Sequence, residues 1–184
     1  TSVITATPEA LLSRCVDYHG HLCVGQALGV RLALKGMELI GTSDPKVMIV
    51  FIENDRCIAD AIQTVTGTRL GRRSAKLVNY GKMAAALVNT DTGVAYRVAI
   101  RRFAPEWGRG EEAARAVLSV PDSELLAWQQ VRISLKPEDY PGRPRRTVNC
   151  VRCGEKVFDG RDLSGSEGPV CIACAHGAYY DLAE

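Results

Sequence analysis

The sequence predicts an α+β core, with N-terminal helices packed on a mostly antiparallel sheet, followed by a small four-cysteine zinc domain. Three observations carry this reading. Apolar residues recur at helical spacing from Leu11 onward, short β-branched runs and a hairpin pattern follow, and two C-x-x-C pairs close the chain. A chain of 184 residues suits one core domain plus an appendage.

Thr7-Pro8-Glu9 reads as a helix start: a hydroxyl N-cap, proline in the first turn and an acid at the positive dipole end. Leu11, Leu12, Cys15 and Val16 continue it, and Gly20 after His19 suits its end. A second helix is expected over about 24–35, with Leu28, Leu32 and Ala33 inward and with Gly25 and Gly29 allowing close packing. Residues 46–52 form an apolar, β-branched run that predicts a central strand buried on both faces. Polar Glu53, Asn54, Asp55, Arg56 and Cys57 follow it, and a helix is expected over 58–66. The stretch 67–74 is a loop carrying Arg69, Arg72 and Arg73. Strands are expected at 76–80 and 83–89, with 94–101 as the hairpin partner of the second. Helices are predicted over 105–118 and 123–131, the latter with Asp122 as N-cap, and an edge strand over 131–135. Pro137, Pro141 and Pro144 lie among Arg143, Arg145 and Arg146, which predicts an extended linker. The expected division is therefore a core over 1–135, a linker over 136–149 and a zinc domain over 150–184.

Composition narrows the function classes. The chain is 46% apolar and 24% charged, which fits a globular protein and argues against disorder. Net charge is only +2, which excludes gross electrostatic binding of nucleic acid but leaves a local patch open. No apolar run approaches the roughly 20 residues of a membrane helix, so no membrane association is expected. Residues 1–8 lack a basic region followed by an apolar core, so no signal peptide is expected. Seven cysteines, an odd number with two C-x-x-C pairs, favour metal sites in a reducing compartment over a disulfide framework. A cytoplasmic location follows as the expectation.

Cys150-x-x-Cys153 and Cys171-x-x-Cys174 have the spacing of a structural zinc site, in which two tight turns each deliver a pair of thiolates. Four protein ligands suffice, so His176 is not needed and no catalysis is expected there. The stretch Tyr18-His19-Gly20-His21-Leu22-Cys23-Val24-Gly25 is less specific. In a purely structural reading, His19 caps the first helix and Cys23 packs as a small apolar residue. In the functional reading, the helix pair packs beside the strand ends, and His21, Cys23 and Cys57 converge on a second metal, zinc or another transition metal, with an open fourth position. His19, His21, Cys23 and Cys57 are then the candidate catalytic residues, with Glu53 or Asp55 as base or supporting partner. Arg69, Arg72 and Lys82 are candidate anion contacts, against the plainer alternative of a solvated basic loop.

The zinc domain, with Cys-Gly-Glu at 153–155 and Cys-Ile-Ala-Cys at 171–174, resembles zinc fingers of the TraR/DksA type, which contact protein or nucleic acid. The core resembles the FmdE family, which takes its name from one of the subunits of formylmethanofuran dehydrogenase. The stretch 18–25 is similar to that family's F-H-G-H-x-C-P-G motif. Asp55-Arg-Cys57-Ile-Ala-Asp60-Ala-Ile-Gln63-Thr-Val-Thr-Gly67 matches its second motif, and Asn79-Tyr80-Gly81-Lys82 is similar to its D-Y-G-K. The resemblance implies a treble-clef-like finger after the core and a homodimer of cores. It also implies a metal-dependent role as a subunit or accessory of a molybdenum- or tungsten-containing oxidoreductase of one-carbon metabolism, with oxidoreductase subunits as partners. The alternative is a regulatory module whose finger contacts protein or nucleic acid and whose core senses a small ligand. This chain departs from the pattern at Val24 (proline), Thr68 (cysteine), Ser74 (asparagine) and Asn79 (aspartate), so a nucleophilic or redox role at position 68 is closed to it.

Overall fold

Thr7 caps α1 (Pro8–His19) in the computed structural model, which describes residues 6–102 and 107–183; its hydroxyl accepts from the Ala10 N–H at 3.2 Å. Gly20, at φ +94°, ends the helix by donating its N–H to the Val16 carbonyl at 2.7 Å. α2 (Val24–Ile40) runs past the expected end near residue 35, because Gly36, Met37 and Ile40 extend its buried stripe. It is the central helix, packed against α3 (Cys57–Thr66), α4 (Gly110–Val117) and the sheet.

The sheet has the order β2-β1-β3-β4-β5, formed by β1 (Met48–Ile52), β2 (Ala75–Leu77), β3 (Ala84–Asn89), β4 (Ala95–Ile100) and β5 (Leu126–Val131). β1 and β2 pair in parallel, with α3 in the connection between them, and the other pairings are antiparallel. β1 is buried on both faces apart from half-buried Phe51, as its unbroken apolar run predicts. Its parallel neighbour is shorter than the expected 76–80 strand.

Two expectations near the core's end are corrected. The helix predicted over 123–131 is only the single turn α5 (Asp122–Leu125), with Pro121 rather than Asp122 in the N-cap position. Leu126–Val131 is instead β5, ahead of the strand expected over 131–135. Leu126, Trp128 and Val131 lie opposite Ile100, Val98 and Ala95 of β4, so the open edge of the sheet overrides the helix preference of Leu-Ala-Trp-Gln-Gln. The helix predicted over 105–118 spans Gly110–Val117, and its expected start at 105–106 lies outside the described residues.

Two close approaches set the core's geometry. A Cβ on Gly29 would lie 2.5 Å from the Ala61 Cβ and 3.0 Å from the Ile58 carbonyl oxygen, so α2 and α3 touch almost backbone to backbone. An ion pair between a buried carboxylate and a half-buried guanidinium ties the sheet together: Glu53, just past β1, takes two hydrogen bonds from Arg97 of β4, at 2.7 and 2.8 Å. The Glu53 carboxylate raises the Arg97 pKa above its ordinary value. Its backbone is equally committed, with the N–H on the Ala84 carbonyl and the carbonyl accepting from Tyr80 and Lys82.

A second compact unit begins at Leu135. Within the stretch 136–149, Pro137–Asp139 forms a 3-10 turn and Thr147–Asn149 forms β6, which pairs with β7 (Lys156–Phe158). A second hairpin, β8 (Asp162–Gly165) with β9 (Gly168–Cys171), leads into the short α6 (Ile172–His176). Among the described residues no helix is long and apolar enough to cross a membrane.

Gly29→Ala is expected to destabilise the protein by about 1–3 kcal/mol in denaturant titration, because overpacking outweighs the alanine's gain in helix propensity of roughly 1 kcal/mol. An unchanged midpoint would contradict this. Arg97→Ala should cost about 3 kcal/mol by stranding the buried Glu53 charge, and Glu53→Gln in the same chain should recover part of it. Strict additivity of the two substitutions would count against the pair.

Candidate metal centre

Three helix ends meet at one place. His19 is the last residue of α1, Cys23 is the extended N-cap residue of α2, and Cys57 is the first residue of α3. Asn54 sets the start of α3: its Oδ1 accepts from the Arg56 N–H at 3.0 Å, while its Nδ2 donates to the Lys82 carbonyl at 2.8 Å. Gly25 keeps the corner open, since a Cβ there would lie 3.0 Å from the Cys57 Cβ and 3.7 Å from the Cys23 Sγ. The result brings His19, His21, Cys23 and Cys57 together, with donor atoms all within 4.8 Å of one another.

His19, a helix cap in the structural reading and a candidate site residue in the functional one, belongs to this cluster. His19 Nδ1 pairs with Asp60 Oδ2 at 2.7 Å, and its Nε2 is buried with no hydrogen-bond partner among the described residues. A buried imidazole nitrogen left empty is costly unless something fills it. If the Nδ1 proton sits toward Asp60, Nε2 is the lone-pair nitrogen, which is how metal-ligating histidines are held by carboxylates. Burial first, and then hydrogen bonding to Cys23, push the Cys57 thiol up from its ordinary value. Two sulfurs this close resist ionising together without a cation, and two histidines plus two cysteines are a donor set suited to zinc and its neighbours. The residues fit a transition metal.

His19 and Cys57 also line a cavity of about 410 Å³. Ile52, Ala59, Leu70 and Leu77 give it apolar walls, and Asn54, Asp55, Arg56, Asp60 and Gln63 give it polar ones. That volume suits a small organic molecule.

Other candidates sit elsewhere. Glu53 belongs to Arg97 and does not line the cavity; the carboxylate that supports His19 is Asp60. Arg69 donates to the Gln63 and Thr68 carbonyls and lies 5.9 Å from the Tyr18 ring centre, so it staples its loop. Arg72 and Lys82 are exposed, and none of the three lines the cavity; Arg56 does. Thr68 is fully buried, with its hydroxyl 2.7 Å from that of Thr66, and the Ser74 hydroxyl accepts from the Arg69 N–H at 3.0 Å. The two hydroxyls that depart from the family pattern therefore close this loop. Asp60 and Gln26 are the residues to which the sequence alone assigns no role. Each stands three positions after a cysteine, one helical turn on, at Cys57-x-x-Asp60 and Cys23-x-x-Gln26. Gln26 donates to the Cys57 carbonyl at 2.6 Å and links the two helix starts.

In the second unit, Cys150, Cys153, Cys171 and Cys174 also converge within 4.8 Å, and His176 is not among them. Gly154, at φ +79°, donates to the Cys150 carbonyl at 2.8 Å and closes the first knuckle. Backbone N–H donors, that of Cys171 first, hold the Cys150 thiol down to about 6. Neighbouring thiols, that of Cys171 first, push Cys174 up to about 12. The Cys150 thiolate is favoured and that of Cys174 is opposed, an opposition that a divalent cation reverses. The cluster suits zinc.

These features define an α+β protein with a mixed His/Cys cluster at converging helix ends and a separate four-cysteine cluster that could hold zinc. The chain belongs to the FmdE family: the family model described as "FmdE, Molybdenum formylmethanofuran dehydrogenase operon" matches residues 18–127. It is similar to a protein of Archaeoglobus fulgidus named "Probable S-adenosyl-L-methionine-binding protein", at 24% identity over 92% of this chain and 53% of that one. The chain thus spans about half the length of this curated relative. It also shares its fold with a tungsten formylmethanofuran dehydrogenase FmdE-like protein of Syntrophus aciditrophicus, at a TM-score of 0.67 and 19% identity over 97% of each chain.

Asp60→Asn should weaken metal binding at the core cluster about 10–100-fold while leaving the circular dichroism spectrum intact. Competition with a chromophoric chelator measures this, and an unchanged affinity would remove Asp60 from the site.

Proposed function

We propose that this is a metal-dependent FmdE-type protein that serves as a subunit or accessory of a molybdenum- or tungsten-containing, formylmethanofuran dehydrogenase-type oxidoreductase of one-carbon metabolism. Zinc is held by Cys150, Cys153, Cys171 and Cys174, and a second transition metal by the core cluster. The observation that carries the core site is the buried Nε2 of His19, which has no hydrogen-bond partner among the described residues, on a residue whose ligand atom lies within 4.8 Å of those of the other three. A metal bound there supplies Lewis acidity toward a small donor molecule. Asp60 fixes the His19 ring, Gln26 holds the start of α3, and the cavity walls admit a small molecule beside His19 and Cys57.

The family and the Syntrophus neighbour's name support the association with an oxidoreductase. The finger acts as a docking element, since Val151, Phe158, Leu163 and Ile172 expose apolar side chains on it. Homodimeric cores and a reducing cytoplasm complete the proposal. A second reading, a module whose core senses a small ligand, has the cavity and the Archaeoglobus relative's name in its favour. A rise in melting temperature on adding S-adenosylmethionine would support that reading over the first.

Metal analysis of the purified chain should find two metals per chain, one for each cluster, and one in Cys23→Ala. A single metal, unchanged by the substitution, would sink the core site. For the association, tagged chain recovered from its native host should carry molybdenum or tungsten above the background of an untagged control. Recovery without either metal would count against a role beside such an enzyme.

A further inference from the structure

The four core donors are not held alike. His19 ends a helix, is bound to Asp60 through Nδ1, and has a side chain only 16% exposed. Cys23 and Cys57 each begin a helix, and those helices are packed together across Gly25 and Gly29. The Cys57 carbonyl is further held by Gln26. These three donors are positioned before any metal arrives.

His21 is different. It lies in the short link between Gly20, at φ +94°, and Cys23, and it is exposed. Among the described residues neither of its ring nitrogens has a hydrogen-bond partner. Its ring neighbour is His19, 4.6 Å away between centres and tilted by 40°. Metal-ligating histidines almost always have their second nitrogen tied to a carboxylate, carbonyl or water, which fixes ring and tautomer. Asp60 does this for His19, and no protein group among the described residues does it for His21. Ordering His21 on a metal therefore costs side-chain entropy that the other three donors have already given up.

We infer that His19, Cys23 and Cys57 form the permanent metal set, and that His21 is the exchangeable fourth donor whose place an incoming ligand takes. This rests on the reading that the core cluster binds a metal. It differs from the set His21, Cys23 and Cys57 that the sequence alone suggests, and it reserves the open position of a reactive centre for the one donor without support. The incoming group is a nitrogen or sulfur donor, since a metal already carrying two thiolates and an imidazole favours soft or borderline partners.

The test uses the full chain loaded with cobalt(II), with the Cys23→Ala chain supplying the finger's own absorption as baseline. His21→Ala should still bind core cobalt, with affinity reduced about 10-fold or less, whereas His19→Ala should lose more than about 100-fold. Free imidazole, the missing side chain's own donor, should change the visible spectrum of His21→Ala saturably, and at lower concentration than in the wild type. If His21→Ala loses core cobalt as completely as His19→Ala, or if imidazole leaves its spectrum unchanged, His21 is not the exchangeable donor. If the wild type shows no core cobalt above the Cys23→Ala baseline, the metal reading itself falls, and this inference with it.

Discussion

The backbone-to-backbone contact of α2 with α3 is the constraint on which the rest depends. It exists because Gly29 has no side chain where Ala61 and the Ile58 carbonyl come closest. Each helix begins with a cysteine, so the helix separation sets the sulfur separation. A wider crossing would leave the same fold class and lose the cluster. Packing and chemistry here are one geometric fact read at two positions along the helices.

Two carboxylates near the site show how environment divides similar groups. Glu53 is 6% exposed and closed off by a two-point Arg97 contact, so its charge is neutralised across the sheet. Asp60 is partly exposed and faces a neutral-capable imidazole instead. The first holds the end of β1 to β4 through its side chain and to the 80–84 stretch through its backbone, and the second orients a donor. Neither role follows from residue type; each follows from which strand or helix end the chain places opposite.

Much of this is legible in the sequence. Helical spacing, the Thr7-Pro8-Glu9 start and the β-branched run at 46–52 predict α1, α2 and β1, because each is dominated by local signals. The cysteine spacing marks the second cluster, since four thiols in two pairs have few other uses. β5 is hidden because Leu126 to Gln130 prefers a helix when alone and becomes a strand only beside the free edge of β4. The role of His19 is hidden for the same reason. Its partner Asp60 lies 41 positions away, and only the packing of α1 against α3 brings them to 2.7 Å.

The placement of the core donors has a consequence for how the chain folds. Three of them fall between His19 and Cys23, while Cys57 lies on the far side of α2 and β1. A metal held by all four would act as a covalent-like staple across that loop and shrink the unfolded ensemble much as a disulfide does. For a loop of this size the entropy of closure amounts to about 4 kcal/mol as an upper bound. Loading the site would then lock α3 to α2, so the protein's rigidity would be tied to its supply of metal.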